Sequence, residues 1–86
     1  VLEMVPASVA KSVTEKVSVP TIGIGAGSFT DGQILVWQDL AGLSAGNRKF
    51  VKQYLNLRNE LSNAANQYRS DVQSGRFPDQ QHSFED

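Results

Sequence analysis

The first 27 residues place a strand, a helix and a second strand in direct succession, and that order constrains the fold more than any other feature of the chain. "VLEMV" is an apolar run with one Glu inside it and reads as a buried strand. Pro6 stops the run and can serve as the first residue of a helix. In "PASVAKSVTEKV", Val9, Ala10, Val13 and Val17 recur at steps of three and four, while Lys11, Ser12, Glu15 and Lys16 fall mainly on the other side. That pattern predicts a short amphipathic helix. "SVPTIGIGAG" follows, with β-branched Val19, Ile22 and Ile24, and with Pro20 at a strand entry. Strand, helix and strand over this length form a βαβ unit, which implies parallel strands and a right-handed crossover.

The next apolar run, "GQILVWQD", contains Ile34, Leu35, Val36 and Trp37 and is a further strand candidate. It follows Gly27 more closely than a parallel crossover of a dozen or more residues normally allows. Either "SFTDGQ" is a compressed helical turn, or the segment begins helical and becomes strand late. "AGLSAGN" is a Gly- and Ser-rich loop. The remainder reads as helix: Phe50, Tyr54, Leu57, Leu61, Ala64, Ala65, Tyr68 and Val72 form a stripe from about Arg48 to Ser74. "NLRN", Asn56–Asn59, is a place where the stripe could divide into two helices. Gly75 suits the residue just past the helix end, and Pro78 lies beyond it. "DQQHSFED" has no periodicity and is expected to be loosely held. The expected organisation is residues 1–47 as the βαβ unit with a last strand, 48–78 as helices and 79–86 as a tail.

Eighty-six residues with a net charge of −1 amount to one small domain or a piece of a larger one. Only Arg48 and Lys49 are adjacent cations, so no basic patch argues for nucleic acid or an anionic membrane. The chain has no cysteine, which excludes disulfides and thiolate metal sites. No apolar stretch approaches the roughly 18 residues of a membrane span, and no signal-peptide pattern opens the chain. A cytoplasmic location is the default expectation. The chain opens at Val1 inside a hydrophobic element, where termini rarely lie, so an upstream part of the protein is expected.

Gly23, Gly25 and Gly27 sit at every second position and invite comparison with a phosphate loop. The dinucleotide fingerprint needs its third glycine where this chain has Ser28, and needs a long helix to follow. Gly32 and the "ILVW" run arrive too soon for that helix, and no Lys-Ser/Thr pair completes a Walker loop. Glycines at a strand end instead mark close approach of another backbone or a ligand. At the mouth of a barrel, the bare face of Gly23, Gly25 and Gly27 would be floor for a substrate, or would admit a neighbouring loop.

Glu3 is the other conspicuous residue. By strand alternation it shares a face with Val1 and Val5. A carboxylate in such company has a partner or a task. Apolar surroundings favour the neutral form of a carboxylate, which is how an enzyme obtains a base that works near neutral pH. The competing reading is a structural Glu paired with a cation from elsewhere. His82, the only histidine, lies in the polar tail and reads as solvated or packing. Asp31 reads as a turn or cap residue, and Asp39 as a strand-end residue able to reach a barrel mouth. Trp37 reads as core, and Phe50, Tyr54 and Tyr68 as helix packing.

"VLEMVP", "IGIGAG" followed by "TDGQILV", and the closing "SGRFP…HSF" run in order from Val1 to about Phe84. Together they resemble the C-terminal third of the ketopantoate hydroxymethyltransferases. The resemblance implies an α/β fold, the C-terminal part of a (β/α)8 TIM barrel. It also implies transfer of a hydroxymethyl group from 5,10-methylenetetrahydrofolate to 3-methyl-2-oxobutanoate, giving ketopantoate for pantothenate and coenzyme A synthesis. Magnesium chelates the keto acid in that family and acidifies its α carbon. Glu3 occupies the family's "LE-x-VP" glutamate, the general base. The metal ligands of the family lie in earlier strands, as do its substrate-binding Lys and Ser, so no metal ligand is expected here and the isolated chain is expected to be inactive. The family tends to form large homo-oligomeric rings. Two other readings compete: a non-catalytic module whose helical stripe self-associates or binds a partner, and a small phosphate-binding α/β domain built on the glycine loop.

Overall fold

The computed structural model describes residues 1–46 and 48–86, and the chain divides into two compact units, Val1–Leu55 and Asn56–Asp86. In the first unit, β1 (Leu2–Glu3), β2 (Ile22–Ile24) and β3 (Gly32–Gln33) form a parallel sheet in that order. Leu2 pairs with Gly23 and Glu3 with Ile24; Ile22 pairs with Gly32 and Gly23 with Gln33.

The expected strand "VLEMV" stops early. Met4 turns to φ +54°, a left-handed conformation that ends strand alternation, although its N–H still donates to the Ile24 carbonyl at 2.9 Å. The first helix, α1, spans Ala7–Lys16. Pro6 stands just before it rather than as its first residue, and its carbonyl accepts from Val9 and Ala10 at 3.0 Å each. Of the predicted apolar face, Ala10 is buried, Val13 is half-buried, and Val9 and Val17 are exposed. Thr14 lies on the same helix; its hydroxyl donates back to the Ala10 carbonyl at 2.8 Å and meets the Thr21 hydroxyl at 2.9 Å.

Neither expectation for the β2–β3 connection holds, because Gly25–Asp31 is a loop without a helical turn. Side chains replace the missing helix as the brace. The Thr21 N–H donates to Asp31 Oδ2 at 2.8 Å, and the Asp31 N–H donates back to Thr21 Oγ1 at 3.2 Å. Gln33 Nε2 donates to the Gly27 carbonyl at 2.8 Å and to Thr30 Oγ1 at 3.0 Å, while Thr30 Oγ1 donates to the Gly32 carbonyl at 2.8 Å. Asp31 therefore ties the loop to the start of β2, a stronger role than a turn residue.

The "ILVW" strand is also corrected. Pairing ends at Gln33, and Trp37 opens a one-turn helix, α2 (Trp37–Leu40), closed by Leu40 N–H on the Val36 carbonyl at 3.0 Å. Trp37 is 59% exposed, not core. Phe50 and Tyr54 lie in a non-helical segment, and the Tyr54 N–H donates to the Leu40 carbonyl at 2.8 Å. Ala10, Ile24, Ala26 and Ala41 are buried with Thr21 and Thr30, and among the described residues no large side chain is fully buried.

In the second unit, α3 spans Leu57–Ser74, so "NLRN" is the start of one helix rather than a break between two. Gly75 takes φ +77°, with Arg76 N–H on the Asp71 carbonyl at 2.8 Å and Gly75 N–H on the Val72 carbonyl at 3.3 Å, a Schellman stop at the expected residue. Arg76 Nε also meets Asp71 Oδ1 at 3.1 Å. The tail is exposed and contains one short turn. Gln80–His82 forms a 3-10 turn, with Asp79 Oδ1 accepting from the His82 N–H at 3.1 Å. The Phe77 ring stands 5.8 Å from Tyr68 and 5.4 Å from His82, centre to centre.

Candidate functional site

The three parallel strands share one carboxyl end, the end at which open sheets and barrels bind ligands. Glu3 closes β1, Gly25 follows β2, and Ile34 and Leu35 follow β3. Glu3 pairs in register with Ile24, the residue immediately before Gly25. Its side chain is exposed, not set among valines, because Met4 breaks the strand before Val5 can join that face. Among the described residues Glu3 has no ion-pair partner.

The glycines do not leave one continuous bare floor. A Cβ on Gly23 would come within 2.8 Å of Thr30 Oγ1, so Gly23 makes room for the braced loop. A Cβ on Gly27 would come within 2.5 Å of the Ala7 Cβ, so Gly27 admits the start of α1. Gly25 faces the Phe50 ring, with Cγ at 2.8 Å from such a Cβ. Of the three, Gly25 lines a groove of about 420 Å3 with Gln33, Ile34, Leu35, Leu40, Phe50, Lys52 and Tyr54. Sequence periodicity placed Phe50 and Tyr54 in a helix and gave no sign of Lys52; the "TDGQ" motif was the one signal that included Gln33.

A second cavity of about 340 Å3 is lined by Asp39, Ser44, Ala45, Gly46, Arg48, Val51 and Gln53. Asp39 thus borders a cavity from α2 rather than from a strand end. His82 lies in the second unit, its Nδ1 2.5 Å from Asp79 Oδ1, and this contact holds the Asp79 carboxyl below the usual carboxylate range. Among the described residues no three His, Cys, Asp or Glu side chains gather as metal ligands, and the resemblance places the family's magnesium ligands in strands that precede Val1.

The resemblance seen in the motifs is borne out by comparison with known proteins. The profile of the family described as ketopantoate hydroxymethyltransferase matches residues 1–80. A 3-methyl-2-oxobutanoate hydroxymethyltransferase from Arthrobacter sp. (strain FB24) is 58% identical over 84 residues, covering 96% of this chain and 28% of that protein. The same enzyme from Thermobifida fusca is 56% identical over 84 residues, and that from Pyrococcus abyssi 53% over 85; the chain covers 30% of each. The chain therefore spans less than a third of the curated relatives it matches. With motif order, parallel strand pairing and a match reaching from Val1 to residue 80, the chain belongs to the ketopantoate hydroxymethyltransferase family.

Proposed function

We propose that this chain supplies the general base, Glu3, for transfer of a hydroxymethyl group to 3-methyl-2-oxobutanoate, within a (β/α)8 barrel whose C-terminal third it forms. The carrying observation is the placement of Glu3: a carboxylate at the carboxyl end of a parallel strand, exposed, without an ion-pair partner among the described residues, beside the groove that begins at Gly25. The Glu3 carboxylate takes the proton from C3 of the keto acid. The electron pair of that C–H bond becomes the enolate, which forms the new C–C bond to the one-carbon unit of 5,10-methylenetetrahydrofolate. Water supplies the hydroxyl oxygen, and tetrahydrofolate leaves. Ile24, paired with Glu3 and buried, fixes the backbone from which the base projects.

The test grafts this chain into the Arthrobacter relative in place of the 84 residues it matches. The graft is expected to form ketopantoate and to exchange the C3 proton of the keto acid with solvent deuterium. Glu3→Gln in the graft should slow that exchange by about 10²–10⁴-fold, with an unchanged thermal melt. An inactive but folded graft, or a Glu3→Gln variant that exchanges as fast as its parent, overturns the proposal.

A further inference from the structure

The groove at the ends of β2 and β3 has a chemistry of its own. Phe50 and Tyr54 bring two aromatic rings to it, Ile34 and Leu40 add aliphatic wall, and Lys52 brings one cation. The Lys52 Nζ lies 4.9 Å from the centre of the Tyr54 ring, which holds the ammonium at the groove rather than leaving it to sweep through solvent. Among the described residues no carboxylate neutralises it. The walls are also fixed. The bare Cα of Gly25 receives Phe50, and the Tyr54 N–H is tied to the Leu40 carbonyl at 2.8 Å. About 420 Å3 is the size of a small-molecule site.

We propose that this groove binds an aromatic ring that carries a pendant carboxylate, the ring against Phe50 and Tyr54 and the carboxylate on the Lys52 ammonium. A five-carbon aliphatic keto acid has no ring to offer these walls. The aminobenzoyl-glutamate portion of a folate has both the ring and the carboxylates, so the groove is assigned to the one-carbon donor; in this respect the inference rests on the function proposed above. The donor then lies beside the strand end that carries Glu3, with Gly25 between them in the chain order of the site.

Two measurements test this. In the first, p-aminobenzoyl-L-glutamate is titrated into the chain and followed by NMR at the Phe50 and Tyr54 rings. Binding is expected, about 10-fold weaker in Lys52→Met and within about threefold of the parent in Lys52→Arg. No binding at millimolar concentration, or equal affinity in Lys52→Met, overturns the proposal. In the second, Lys52→Met in the grafted relative should raise the KM for 5,10-methylenetetrahydrofolate about 10-fold while the KM for the keto acid moves less than twofold. A rise confined to the keto acid overturns the assignment. An inactive graft with Lys52-dependent binding in the first measurement would refute the proposed function and leave the groove standing; an active graft whose folate KM ignores Lys52 would do the reverse.

Discussion

Gly27 and Gly75 share a backbone conformation, φ +78° and +77°, but not an environment. Nothing lies within 4 Å of a Cβ placed on Gly75, whereas a Cβ on Gly27 would meet the Ala7 Cβ at 2.5 Å and its Cα at 3.0 Å. Alanine at Gly75 therefore carries only the left-handed penalty, about 1–2 kcal/mol. Alanine at Gly27 carries the same penalty plus the displacement of a helix start, an overpacking cost of about 1–3 kcal/mol. The expected losses are about 1–2 kcal/mol for Gly75→Ala and about 2–5 kcal/mol for Gly27→Ala. Ala7→Gly removes the nearer clash and should recover at least about 1 kcal/mol in the double variant, seen as a coupling energy in the cycle. Urea unfolding measures each, with Trp37 fluorescence for residues 1–55 and far-ultraviolet circular dichroism for α3. Equal losses at the two glycines, or no coupling between Gly27→Ala and Ala7→Gly, would refute the close-approach account of the glycine loop.

Asp31→Ala leaves the buried Thr21 N–H without its acceptor and should destabilise the first unit by about 1–3 kcal/mol in urea, with Asp31→Asn losing less because an oxygen remains in place. Asp79 should titrate below the usual carboxylate range because His82 hydrogen-bonds its charged form, and His82→Ala should move its carboxyl carbon-13 midpoint upward. The sign follows from a depressed folded value: the turn's contribution is intact above about pH 4, where the unfolded carboxylate is already ionised, and is lost as pH falls through the lower midpoint of Asp79. An Asp79 midpoint that ignores His82→Ala would show that the 2.5 Å contact does not form in solution.

The parts of the fold legible in the sequence were those in which one local rule acted alone. Steps of three and four placed α1, and Gly75 marked the helix stop, because backbone chirality decides that position without help from elsewhere. The "ILVW" run misled because four consecutive apolar residues have no period, and such a run is equally a strand or a turn of helix. Here β3 is only two residues long, and Trp37 starts α2. Phe50 and Tyr54 misled differently. Their spacing of four continues the stripe of α3, yet Phe50 packs on Gly25, a contact between residues 25 positions apart that no window of periodicity contains.

The site shows the same division. The motif singled out Glu3 from inside the expected strand "VLEMV", and the structure ends that strand at Glu3 itself. Strand alternation then assigned it valine neighbours, which fails because Met4 leaves the extended region one residue later. An exposed carboxylate at this strand end acquires a base's surroundings only when other groups close over it. The groove beside it follows a complementary logic. Its cation, Lys52, is invisible to any motif because its value comes from Tyr54 two residues on and from Ile34, Leu35 and Leu40 across the fold. Local sequence thus singles out the carboxylate proposed to take the proton, while long-range packing sets what can lie next to it. A variant at Glu3 should accordingly alter proton exchange, and a variant at Lys52 should alter only how tightly the donor is held.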